Sequence, residues 1–220
     1  MNHSRLHEKA ASAADARKRG LALYIGKDGN EKMYMLYDAD KLIEYVSNPK
    51  FIKNPFVTNL EMKLAKHCAI ASILVGKKTG KKWNASEIAT SAAQEGYGPL
   101  LYDIVMELEQ GLMADRSSVS PSAKNVWDYY LNNRGDVEAK KLDDEDNPKT
   151  RTKKDDAYVF DSGDDENPLN YAYFIKKGPA VTSLLNNHDR CVAQLKKLHV
   201  SEYVEFGSMG TELFFWKFKA

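Results

Sequence analysis

The chain has 220 residues, enough for one sizeable core, and its 43% hydrophobic and 29% charged content is that of an ordinary soluble globular protein. A formal net charge of +1 gives the whole molecule no electrostatic claim on nucleic acid or anionic lipid. No apolar run approaches the roughly 18–20 residues of a membrane span, and Cys68 and Cys191 have no CxxC partner, which suits a reducing cytoplasm. The five histidines form no HExxH pair, so no metal site is expected.

Residues 1–19 are a basic, alanine-bearing segment with no apolar h-region, read as a short helix or a tail and not as a secretory signal. Residues 20–220 read as one domain. Leu21 to Ile25 and Lys32 to Tyr37 are strand-like around the turn "KDGN", which predicts a hairpin. "DADKLIEYVSNP" predicts a short helix capped by Asp38 or Asp40, with Pro49 beyond its end. Phe51 to Asn59, with its prolines and asparagines, predicts a loop.

"CAIASILVGKKTGKKW" and "NASEIATSAAQ" predict two strands of small and β-branched residues, joined as a second hairpin. A turn containing Gly96 and Gly98 follows. It opens a helix whose Leu100, Leu101, Ile104, Val105 and Leu108 share one face, with Pro99 in the first turn and Gly111 at the close. "LMADRSSV" predicts a short strand. The helix "SPSAKNVWDYYLNNRG" is among the best punctuated: Ser120 at N-cap, Pro121 at N1 and Gly135 as stop.

From Asp136 to Glu166 twelve acidic and six basic residues give a local net charge of −6, leaving +7 on the remainder. This stretch predicts an acidic surface insertion at about residues 136–168, with one strand near "AYVF". "LNYAYFIKKG" predicts a strand. "PAVTSLLNNHDRCVAQLKKL" predicts an amphipathic helix with Val181, Leu184, Leu185, Cys191, Val192, Leu195 and Leu198 on one side. "HVSEYVEFG" and "TELFFWKFKA" predict two closing strands. The sum is an α/β (mixed α+β) single domain.

A strand that runs through glycines into a helix N-terminus offers free backbone N–H groups and the positive end of a helix dipole, which suits a phosphate. The same glycines also serve a plain tight turn, so the turn alone leaves both readings open. Neither a P-loop lysine nor the third glycine of a dinucleotide site follows. Strand, "QEGYG", helix, short strand and "SPSAKNVWDYY" together resemble the central motif of the GNAT N-acyltransferase superfamily. There, a strand leads into a loop of pattern (Q/R)-x-x-G-x-(G/A), and a later helix reads (N/S)-x-x-A-x-x-(L/V)-(Y/W). The matching residues are Gly96 and Gly98, then Ser120, Ala123, Val126 and Trp127. The resemblance covers residues 85–134, about a quarter of the chain. The wording "GYGPLLYD" with "SVSPSAKNVWDYY" is also similar to predicted acetyltransferase-like proteins of tailed bacteriophages, which implies a host cytoplasm.

The resemblance implies a GNAT-like domain with a central mixed, mostly antiparallel sheet flanked by helices. It implies acetyl-CoA as co-substrate, no metal, and an unidentified amine acceptor. The pyrophosphate site it implies comprises Ser91, Ala92, Ala93, Gln94, Glu95, Gly96, Tyr97, Gly98 and Pro99, with Ser120 at the second helix. Two positions depart from the pattern. Ala93 stands where the family has Gln or Arg, and Trp127 where many members carry a tyrosine that protonates the leaving thiolate. Tyr129 and Tyr130 follow within one turn as replacements. The attacking amine needs a base, for which Glu87 on the preceding strand comes first and Asp115 second. A fold that has lost catalysis and binds a protein partner, and an acyltransferase that acts on nucleic acid through the +7 remainder, stand as alternatives.

Overall fold

Seven strands form one sheet in the computed structural model, which describes residues 10–28, 30–48, 68–80, 83–115, 118–142, 167–176 and 181–198. The strands are β1 (Leu21–Asp28), β2 (Glu31–Asp38), β3 (Ala69–Gly80), β4 (Ala85–Ala93), β5 (Leu112–Met113), β6 (Val137–Lys141) and β7 (Tyr171–Ile175), in the order β1-β2-β3-β4-β5-β7-β6. Among the described residues five α-helices accompany them: α1 (Ala13–Lys18), α2 (Ala39–Val46), α3 (Tyr97–Glu109), α4 (Pro121–Asn133) and α5 (Thr182–Lys197). The mixed class holds, and the sheet is mostly antiparallel. Among the described strands only β4 and β5 run parallel.

Local signals account for most of these elements. β1 and β2 pair from Leu21↔Asp38 to Asp28↔Glu31, extending both predicted strands of the first hairpin. Asp38 caps α2 by accepting the Lys41 N–H at 3.1 Å. Ser120 caps α4 by accepting the Ala123 N–H at 3.3 Å, with Pro121 in the first turn. Helix α3 closes one residue earlier than expected. Gln110 takes the left-handed conformation at φ 61°, and Gly111 follows at φ 134°, where a side chain would run into the Phe174 ring.

The segment after Gly135 departs from its reading as surface excursion. Val137–Lys141 forms edge strand β6, paired with β7 from Val137↔Ile175 to Lys141↔Tyr171. Its charges suit an exposed sheet edge, and the Lys140 ammonium lies 4.5 Å from the Phe174 ring centroid and 5.3 Å from that of Trp83. The strand expected near "AYVF", both closing strands and the loop from Phe51 to Asn59 lie outside the described residues.

One face of the sheet carries α1, α3 and α4. Ala16, Ile73, Ile88, Leu101, Ile104, Val105, Trp127 and Tyr130 meet there in the largest core cluster. Helix α3 buries far more than its predicted stripe, adding Tyr102, Met106 and Glu109. The opposite face carries α2 and the later part of α5, where Tyr37, Leu42, Val46, Cys68, Cys191 and Leu195 pack. Of the stripe predicted on α5, Leu184, Cys191 and Leu195 are buried.

On that second face His188 Nδ1 lies 2.8 Å from the Tyr37 hydroxyl, and the Tyr24 and Tyr37 rings flank it at 5.6 and 5.9 Å. Burial holds His188 below its ordinary value, against an opposing pull from Asp189. The folded protein therefore resists taking up a proton that the unfolded chain accepts at a pKa of about 6.5. Stability is full above that value and falls as pH drops below it. Urea unfolding at about pH 7.5 and 5.5 should show a loss on acidification that His188→Gln reduces. An equal loss in the variant would remove His188 as the cause.

Candidate functional site

The parallel pairing of β4 with β5 is short: Ser86 faces Leu112 and Glu87 faces Met113, and the two strands then part. Beyond Glu87 no strand pairs with that edge of β4 among the described residues. The chain after β5 leads through Asp115 and Ser118 to α4, so a cleft of about 230 Å³ opens between the strands. Ile88, Ala89, Thr90 and Ser91 form one wall; Asp115, Ser118, Val119 and Ser120 form the other. Tyr102, Ala123 and Trp127 line it from α3 and α4. A register shift puts Ile88 opposite Val75 and Thr90 opposite Leu74, so Ala89 is extra. The bulge changes the phase of β4 and lets both Ile88 and Ser91 face α3.

Strand β4 ends in the glycine turn. Gly96 is the N-cap of α3 at φ 86°, a left-handed conformation that favours glycine. Gly98 is glycine for no steric reason: a Cβ there would meet only the Ala93 Cβ, at 3.8 Å. No side chain caps α3, and no acidic residue stands in its first turn. The turn offers fewer donors than its sequence suggests. The Tyr97 N–H donates to the Gln94 carbonyl at 3.1 Å, and Pro99, third in the helix, has no N–H. Of the first three residues of the helix, Gly98 keeps an N–H with no acceptor among the described residues.

The neighbours of the turn divide between support and solvent. Gln94 is tied back to β3, its N–H donating to the Ile70 carbonyl at 2.8 Å and its side chain to the Ala69 carbonyl at 3.0 Å. Glu95 is exposed, whereas Ala92 and Ala93 are half-buried against the core. One cation reaches the turn from α1's end. Arg19 donates to the Tyr97 hydroxyl at 3.0 Å, with its guanidinium 5.4 Å from the ring centroid, while Ala11 N–H donates to the Gly96 carbonyl at 2.9 Å. Residues 1–19, a separate segment by sequence, thus reach the turn through Arg19, a contact that no local sequence signal marks.

The predicted catalytic residues separate in space. Asp115 lies in the cleft wall, with its Oδ1 accepting the Ser118 N–H at 3.2 Å. Glu87 sits where β4 still pairs with β5 and does not line the cleft. Tyr130 is buried between α3 and α4, its hydroxyl 2.9 Å from the Pro99 carbonyl oxygen and 2.8 Å from Asp103 Oδ1, so that its one proton is shared between the two acceptors. Burial and the Asp103 charge push its phenol well above the ordinary value. Arg134 braces this arrangement, 3.2 Å from Asp103 and 2.7 Å from Asp136, with its guanidinium over the Tyr129 and Tyr130 rings. Tyr129 is 3% exposed, and burial raises its phenol too. Neither tyrosine lines the cleft.

Ser91, Asp115 and Ser120 are thus brought to one cleft, and Tyr102 joins them. Its hydroxyl lies 2.8 Å from Ser91 Oγ; burial pushes its phenol up to about 12, only partly offset by the bond to Ser91. Its signal in the sequence was slight: a hydroxyl-bearing aromatic directly after Leu101. Trp127, 1% exposed, stacks on Tyr173 at 4.9 Å and meets Tyr102 edge-on at 5.2 Å. Among the described residues no group of three His, Cys, Asp or Glu side chains is placed to hold a metal, and no helix is long and apolar enough to cross a membrane. Compared with known proteins, the chain matches no family model, no curated protein and no solved structure.

Proposed function

We propose that this protein is an acetyl-CoA-dependent N-acyltransferase on a GNAT-like fold, transferring an acetyl group to an amine. The observation that carries the reading is the parting of β4 from β5 beside a glycine turn at the end of β4. The order strand, turn, helix, strand, helix over residues 85–133 is the one the resemblance implies. An extended ligand arm bearing amides finds hydrogen-bonding partners along the β4 edge from Ile88 onward, and a terminal phosphate finds the Gly98 N–H and the start of α3.

The chemistry follows from the wall residues. Asp115 accepts the proton of the attacking amine, directly or through one water. Backbone N–H groups of β4 that face the cleft polarise the thioester carbonyl as it becomes tetrahedral. Glu87, flanked by the paired part of the sheet, is left out of this scheme.

Calorimetric titration tests the reading, with micromolar affinity for acetyl-CoA expected. Gly98→Asp sets a carboxylate against the phosphates in a position that packing tolerates, and should weaken binding by roughly tenfold or more with the fold intact. The absence of binding at high micromolar acetyl-CoA would sink the proposal; equal affinity in the variant would remove the glycine turn from it. Trp127 favours a second reading, a binding protein without turnover, because its indole brings no hydroxyl into the cleft. Acetyl-CoA binding without release of free thiol against a panel of amines would select that reading.

A further inference from the structure

The cleft has a mouth and a floor, and α4 runs from one to the other. Ser120, Ala123 and Trp127 line it from positions three and four residues apart, so they stand in one row along the helix. Exposure falls along that row: Ser120 is exposed, Ala123 is half-buried and Trp127 is 1% exposed. The row spans about 10 Å of helix axis. Ile88 and Tyr102 are the other buried lining residues, at 4% each, whereas Ser118 is exposed like Ser120. The closed end is therefore rich in carbon: an isoleucine, an indole, and a phenol whose hydroxyl Ser91 engages at 2.8 Å.

We infer that this closed end holds the acyl group and that Trp127 bounds its length, so that acetyl fits and butyryl or longer chains do not; the inference rests on the acyltransferase reading. The methyl of an acetyl thioester is its apolar end, and the gain from leaving water takes it to the buried surface. The charged amine stays with Asp115 and the exposed serines nearer the mouth, where its charge keeps polar company. The floor does not yield. The indole stacks on Tyr173 at 4.9 Å, meets Tyr102 edge-on at 5.2 Å and lies 6.1 Å from Tyr130. A ring held on three sides in a close-packed core moves aside only by straining its neighbours. Each further methylene of the acyl chain therefore meets the indole or leaves the closed end.

Calorimetry with acyl-CoA thioesters tests this without an acceptor amine. The wild-type protein should bind butyryl-CoA about tenfold or more weakly than acetyl-CoA, since one misfitted methylene in an apolar pocket is worth about 10–200-fold. Trp127→Phe, with a shorter ring on the same backbone, should bring the two Kd values within about threefold. The ratio is the readout, because a loss of folded protein weakens both ligands alike. Ala123→Val adds bulk one turn above the indole and should weaken acetyl-CoA about tenfold relative to free CoA, which carries no acyl group. Equal wild-type affinity for the two thioesters, or a ratio that Trp127→Phe leaves unchanged, overturns the inference and leaves the acyltransferase reading standing. Should Trp127→Phe fail to fold, a ratio of acetyl-CoA to CoA affinity unmoved by Ala123→Val overturns it instead. Failure of the wild-type protein to bind acetyl-CoA overturns both.

Discussion

Trp127→Ala is expected to cost the fold about 4 kcal/mol, the middle of the range for truncating a buried large aromatic. The indole is 1% exposed and joins three elements: it stacks on Tyr173 of β7 with planes 27° apart, meets Tyr102 of α3 edge-on, and packs 6.1 Å from Tyr130 within α4. A domain of this kind is stable by only about 5–15 kcal/mol in total, so much of the margin goes with one side chain. The urea midpoint measures it. Trp127→Phe, which keeps an aromatic body, should lose roughly half as much and widen the cleft. A loss under about 1.5 kcal/mol in the alanine variant would show that the cluster collapses around the gap and that Trp127 is not its centre.

Glu109→Ala should cost about 3 kcal/mol, chiefly through the donors it leaves behind. Glu109 is 4% exposed at the end of α3. It accepts hydrogen bonds from the Tyr34 hydroxyl, from Ser86 Oγ at 2.8 Å and from Lys32 Nζ at 2.8 Å. Burial works to raise its carboxyl, but these bonds and the lysine charge outweigh burial and hold it below the ordinary value. Its contribution is therefore present above the unfolded pKa and lost as pH falls through the folded one. The lysine side chain is 47% exposed, so solvent screens the ion pair and its share is below about 1 kcal/mol. Lys32→Met should accordingly be mild. If it proved as damaging as Glu109→Ala, the ion pair and not the two buried hydroxyls would carry the network.

The sequence made the periodic and punctuated parts of this protein legible. Ser120 and Pro121 fix the start of α4, Asp38 caps α2, and turn residues mark the first hairpin; Gly76 to Gly80, expected as the turn of the second, instead continue β3. Strand β6 stayed hidden because only Val137 and Ala139 carry its inward period, while its charged neighbours are stabilised by aromatic rings brought from elsewhere in the sheet. The candidate site was legible to the same degree. Local order placed the glycine turn at the head of α3 and Ser120 at the head of α4. It gave no measure of where β4 and β5 part, and that point decides which residues face the cleft: it takes in Asp115 and leaves out Glu87. Tyr102 was missed because on a helix buried over most of its surface, a stripe of aliphatic residues no longer marks the face that matters. Tyr129 and Tyr130 were singled out by spacing along α4, yet the Arg134–Asp103 pair draws that side of the helix into packing.

The brevity of the β4–β5 pairing has a consequence for how the sheet answers a guest. Among the described residues, two facing residue pairs are all that join β1–β4 to β5, β7 and β6 across the strand ladder. A guest that bonds to the β4 edge from Ile88 to Ser91 takes the place of a further strand over just the stretch where the described ladder is interrupted. Such a guest should slow amide hydrogen exchange most at Ile88–Ser91, less along β3, and least in the α2–α5 layer on the far face. Occupancy would then read as repair of a seam, and the exchange map would trace its length residue by residue.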